Sequence, residues 1–234
     1  MESVDLRVLP VNEEPLAHVV QEQFVAPALF GELRRAFPDC PPSSGPTGFS
    51  LYQQDAAYQE LLASSPAWRT LYETFHSQRF IDWGIAQFAG LWERDFSRAR
   101  YVPYHEDRID KERTTLRKVE HAPDELWVRM DIHQARVGYT RGVHVDHARR
   151  LVSLLFYFVD QDEAGMEGGE LVLHGPRWKR WLRRPTVVTP RENLMLAFPC
   201  SNRSWHSVPR ITAMQKPRNY IQVHISSSVD VWKR

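Results

Sequence analysis

The chain has 234 residues, of which 42% are hydrophobic, 25% charged and 12% aromatic, a composition that excludes disordered and collagen-like classes. Two cysteines, Cys40 and Cys200, are too few for a disulfide scaffold and suit a reducing compartment. The net charge of +1 is a cancellation: the first 117 residues hold 12 Lys and Arg against 17 Asp and Glu, and the last 117 hold 18 against 12.

The electropositive C-terminal half leads us to expect an anionic ligand there. The longest unbroken apolar run, Leu154–Val159, is too short to cross a membrane. The opening residues, Met1-Glu2-Ser3-Val4-Asp5, lack the basic and apolar stretches of a secretory signal. A cytoplasmic protein without membrane contact is therefore expected, as one compact unit over residues 1–234.

In chain order, Ala26–Phe37 shows helical spacing of Leu29, Phe30, Leu33 and Phe37, and Pro38–Gly48, rich in Pro, Ser and Gly, reads as loop. Residues 56 to about 98 read as helical. Ser65-Pro66 is an N-cap followed by proline at the first helical position, with Trp68, Leu71, Tyr72 and Phe75 on one face. A second helix is expected from Ser77 through Trp92. The polar stretch 101–117 is a candidate lid.

Near residue 126 the period changes to two. Leu126, Val128, Met130 and Ile132 alternate as in a half-buried strand. Short strands then follow at Leu151–Val159, Glu170–His174, Thr186–Thr189, Asn193–Phe198, Trp205–Ile211 and Tyr220–Ile225, the pattern of a sandwich or barrel. The expected fold is α+β: a mainly helical region, 1–124, supporting a β-barrel at 125–228.

The chemistry concentrates at His144-Val145-Asp146. Residues i and i+2 of a strand project to the same face, so an imidazole and a carboxylate point into one cavity, leaving His147 on the opposite face. One further histidine opposite completes the facial two-histidine, one-carboxylate set of non-haem Fe(II) oxygenases. A second His-x-Asp, His105-Glu106-Asp107, lies in a polar stretch with no strand pattern and reads as solvated loop.

Beyond His144 and Asp146 come the strand Leu151–Phe158, Gly168-Gly169-Glu170-Leu171, the turn Pro190–Asn193 with Asn193 suited to a left-handed conformation, then His206, and Arg218 twelve residues later. This order resembles the 2-oxoglutarate- and Fe(II)-dependent dioxygenase superfamily, in its prolyl-4-hydroxylase-like branch, over about residues 125–226. The resemblance implies a double-stranded β-helix of jelly-roll or cupin-like type. It also implies Fe(II) held by His144, Asp146 and His206, with 2-oxoglutarate bound by Arg218 and Tyr157 and O2 as oxidant. The implied reaction couples decarboxylation of 2-oxoglutarate to succinate with hydroxylation or a related C–H oxidation. Tyr220 departs from the family, which often has Ser there, and His133, Gln134 and Arg136 all compete for one further contact to 2-oxoglutarate.

A small-molecule or side-chain substrate, anionic in character, is expected. The segment Pro176–Arg184 carries five cationic and two Trp side chains in nine residues and reads as a solvated hairpin or, alternatively, as the patch of a nucleic-acid demethylase. The low net charge and absence of a recognisable nucleic-acid-binding module argue against the latter. A non-catalytic metal-binding scaffold is the remaining alternative, opposed by the intact set of three ligands plus Arg218.

Overall fold

The structure is a computed structural model that describes residues 3–44, 47–92, 94–104, 121–174 and 184–233. The His105/Asp107 pair, the lid candidate beyond Tyr104 and residues 176–183 of the cationic segment lie outside the described residues. In chain order the elements are β1 (Val19–Gln21), α1 (Pro27–Arg35), β2 (Pro42–Ser44), β3 (Gly48–Leu51), α2 (Ala56–Ser64), α3 (Pro66–Phe75), α4 (Gln78–Gln87), β4 (Arg100–Tyr101), β5 (Glu125–Ala135), β6 (Arg141–His144), β7 (Arg150–Tyr157), β8 (Leu171–Leu173), β9 (Thr186–Val188), β10 (Met195–Pro199), β11 (His206–Val208) and β12 (Arg218–Ser227).

The strands form two sheets. The larger runs β1-β10-β7-β12-β5-β3-β2, with β4 parallel to β5, and the smaller runs β6-β11-β8-β9. This is the double-stranded β-helix, although the larger sheet does not close on itself. Its spine is the β5–β12 pair, antiparallel from Ala135↔Arg218 to Leu126↔Ser227.

Alternation on these strands separates two interiors. Outward-facing Phe156 meets Phe30 edge-on at 5.9 Å, and Phe158 stacks on Trp68 at 5.7 Å, so the helices cover the outer face. Leu155, next to Phe156 and on the alternate face, borders the inter-sheet cavity. With both faces covered, β7 is apolar almost throughout. Gly84 lets α4 approach this sheet closely, because a Cβ there would collide with Ile225 of β12.

Ser65 and Ser77 cap α3 and α4 by accepting from the backbone N–H of Trp68 and Phe80. The helical expectation through residue 98 is corrected: α4 stops at Gln87, and Gly90, at φ +82°, turns the chain. Pro38–Gly48 is not loop throughout, since Pro42–Ser44 is β2 and Gly48 opens β3. The region 1–124 also contributes β1 through β4 to the larger sheet, so the expected division at residue 124 is crossed by strand pairing. Asn193 is left-handed (φ +60°), and its side chain accepts from Val25 N–H at 2.9 Å and donates to Val25 C=O at 2.7 Å, joining the N-terminal segment to β10's turn. Among the described residues no helix is long and apolar enough to cross a membrane.

Candidate metal centre and its cavity

Between the sheets lies a cavity of about 440 Å³. The inward-facing positions of β12 (Arg218, Tyr220, Gln222, His224 and Ser226) run along it, opposed by His133, Asp131 and Arg129 of β5. The smaller sheet supplies His144 and His206, which sit directly opposite each other in the β6–β11 pair with ring centroids 4.3 Å apart. His144, Asp146 and His206 each bring one ligand atom within 4.8 Å of the others, a set that can hold a metal ion.

Both imidazoles are oriented by backbone. His144 Nδ1 lies 2.8 Å from Gly142 C=O and His206 Nδ1 lies 2.9 Å from Ser204 C=O. A carbonyl only accepts, so each ring carries a proton on Nδ1, which in the neutral ring leaves Nε2 as the nitrogen free for a ligand. Burial, followed by the neighbouring His206, lowers the pKa of His144 and favours this neutral form.

Asp146 is placed differently from the expectation of a continuous strand. β6 ends at His144, and Asp146 lies in the turn beyond it, so the same-face rule for i and i+2 does not position it. It is instead held from behind: Ser153 Oγ–H donates to Oδ2 and Arg150 Nη1 donates to Oδ1 at 3.2 Å. With its proton committed to the carboxylate, Ser153 Oγ accepts from His224 Nδ1–H at 2.9 Å. Burial alone would raise the Asp146 pKa; Arg150, His206, His224 and Ser153 together hold it well below the usual carboxylate range. Burial, then Arg150, keeps His224 neutral. Cys200, within 3.3 Å of Ser153 Oγ, stays a thiol because burial and then Asp146 push its pKa well up.

Because the chain has left the strand, His147 lines the same cavity rather than facing away from it. Ser153, Arg150 and His224 were absent from the sequence-based site. The available signal was alternation, since His224 falls on the same face of β12 as Arg218.

Arg218 occupies the other end. It is fully buried, with its guanidinium 4.3 Å over the Tyr220 ring and 5.2 Å over the Tyr157 ring, and Nη2 donates to Tyr157 Oη at 3.4 Å. Its Nε and Nη1 have no hydrogen-bond partner among the described residues. Tyr220, where a serine was the family expectation, thus supplies an aromatic floor for the guanidinium. Of the three competing residues near it, His133 stacks on Tyr220 at 5.0 Å and borders the cavity. Gln134 accepts from Cys40 N–H at 3.3 Å, and Arg136 is exposed, packed over Phe49 at 4.3 Å.

The model of the 2OG-Fe(II) oxygenase superfamily matches residues 130–225. Among solved structures, a 2OG-Fe(II) oxygenase family oxidoreductase from Burkholderia pseudomallei superposes with TM-score 0.55 at 14% identity, covering 93% of this chain and 87% of its own. A prolyl-4-hydroxylase from Pseudomonas putida superposes with TM-score 0.52 at 14% identity, covering 90% and 92%. The non-haem alpha-ketoglutarate-dependent epimerase SnoN of nogalamycin biosynthesis gives 0.54 at 10% identity, covering 90% and 76%. No curated protein matches the chain by sequence.

Proposed function

From a double-stranded β-helix whose residues 130–225 match the 2OG-Fe(II) oxygenase superfamily, we propose that the chain is an oxygenase acting on a small molecule or a side chain. In this reading decarboxylation of 2-oxoglutarate to succinate is coupled to hydroxylation or a related C–H oxidation of an anionic substrate. Members of that superfamily use Fe(II), 2-oxoglutarate and O2. The observation that carries the reading is the convergence of His144, Asp146 and His206 in one cavity with a buried arginine whose Nε and Nη1 lack partners.

The residues fit both groups. Two imidazoles held through Nδ1 by backbone carbonyls and one ionised carboxylate suit Fe(II) and would leave part of its coordination sphere open. A buried guanidinium with unmet donors suits the distal carboxylate of 2-oxoglutarate, with Tyr157 Oη beside it as a further donor. When bound, iron and 2-oxoglutarate supply the O2-dependent oxidation.

The chain's own contributions are positional. Gly142 and Ser204 carbonyls fix the two histidine tautomers. Ser153 and Arg150 hold Asp146 ionised and oriented, and the tyrosines around Arg218 exclude water from its charge. Anaerobic Fe(II) and 2-oxoglutarate should give a weak visible charge-transfer band in the wild type and none in His144→Ala or His206→Ala. A folded wild-type protein without that band would sink the oxygenase reading.

A further inference from the structure

The cavity contains a second arginine with unmet donors. Arg149 lines it, and its Nε and Nη1 are buried without a hydrogen-bond partner among the described residues. Asp230 forms an ion pair with it, 3.8 Å from Nε and so beyond hydrogen-bond distance, and the Asp230 side chain is 68% exposed. A carboxylate in water at that separation does little to satisfy a buried donor.

Position gives this arginine its meaning. The Arg149 carbonyl accepts from Ser227 N–H at 2.8 Å, at the end of β12 remote from Arg218. At about 3.3 Å per residue the two backbones are roughly 30 Å apart along the strand. The Asp146–Ser153–His224 chain lies between them. One arginine with unmet donors is therefore rooted at each end of β12, and Asp146 is tied through Ser153 and His224 to the strand between them.

The charges facing this end can be named. Arg129 is paired with Asp131 at 2.8 Å, and Arg150 with Asp146 at 3.2 Å. Arg149 is left with unmet donors beside His147 and His224, which also line the cavity. A metal drawing on Asp146 increases that positive excess.

Resting on the oxygenase reading, we propose that Arg149 binds a carboxylate of the substrate. The substrate class is then a molecule with a carboxylate at one end, held by Arg149, and an oxidisable C–H reaching toward His144, Asp146 and His206. One guanidinium with unmet donors matches one unit of negative charge, which favours a carboxylate over a phosphate dianion.

The test uses the full chain loaded with Zn(II) and 2-oxoglutarate, so that no turnover occurs, with loading read from the rise in melting temperature each produces. Amino acids, N-acyl amino acids and short peptides are then titrated, each as free carboxylate and as primary amide. At least one carboxylate should bind roughly tenfold or more tightly than its own amide. Arg149→Gln should bring that pair to within about twofold, with 2-oxoglutarate still raising the variant's melting temperature as evidence of an intact cavity. Asp230→Asn, at an exposed position, should tighten the carboxylate by about two- to threefold. A wild type that never prefers the carboxylate, or an Arg149→Gln variant that keeps the preference, overturns the proposal while leaving the oxygenase reading intact. Failure of the loading step overturns both.

Discussion

Arg129 and Arg218 sit on the two adjoining central strands, face the same cavity and are almost completely buried, at 2% and 0% exposure. Their surroundings differ. Arg129 donates from Nε to Asp131 at 2.8 Å, so the chain supplies its counter-charge. Arg218 is enclosed by tyrosines, with no acid paired to it among the described residues and two nitrogens unmet. A buried cation is costly unless paired, so the chain itself completes the first arginine, whereas in the proposed oxygenase an anionic ligand would complete the second.

The largest effect should come from breaking the closed pair. Asp131→Ala leaves the Arg129 charge buried and uncompensated, and urea denaturation should show a loss of about 3–5 kcal/mol. Removing the open charge should do the opposite to stability: Arg218→Met should match or exceed wild type in the ligand-free state. Its 2-oxoglutarate affinity, by calorimetry, should nonetheless fall by about a hundredfold. An Arg218→Met variant as unstable as Asp131→Ala would erase the contrast.

Ser153→Ala should leave 2-oxoglutarate's carboxylate anchor in place while weakening metal binding by about tenfold, measured by metal titration, because Asp146 loses the donor that orients it. The smallest effect concerns a buried group with neither counter-charge nor ligand. Burial pushes the Cys40 thiol from 9.0 up to about 12, so its contribution to stability is intact below pH 9 and is lost as pH rises toward 12. Cys40→Ala should flatten that part of the melting-temperature profile relative to wild type; an unchanged slope would show that Cys40 ionises as freely in the folded chain as in the unfolded one.

Legibility in the sequence followed periodicity. β5, β7 and β12 were readable because a strand buried on both faces or alternating between them writes that pattern into consecutive residues. His144 and His206 were readable through order and spacing, and the structure places them opposite each other. Asp146 was named for the wrong geometric reason, since it lies past the strand end. Three-residue β1 and four-residue β3 are too short to show a period, and their pairing depends on partners more than eighty residues away.

The sequence alone determined which residue types alternate, where helices begin at capped serines, and that two histidines and an aspartate occur in oxygenase order. Those are local properties, carried by backbone geometry over a few residues. Only the tertiary structure decided which charges have partners. The proton-donating chain from His224 through Ser153 to Asp146 joins two strands and a turn, Arg129 and Arg218 differ only in what faces them, and Arg149 gains significance from the cavity it lines. Pairing in a low-dielectric interior depends on distances of a few ångströms between elements far apart in the chain, which spacing along one strand does not encode.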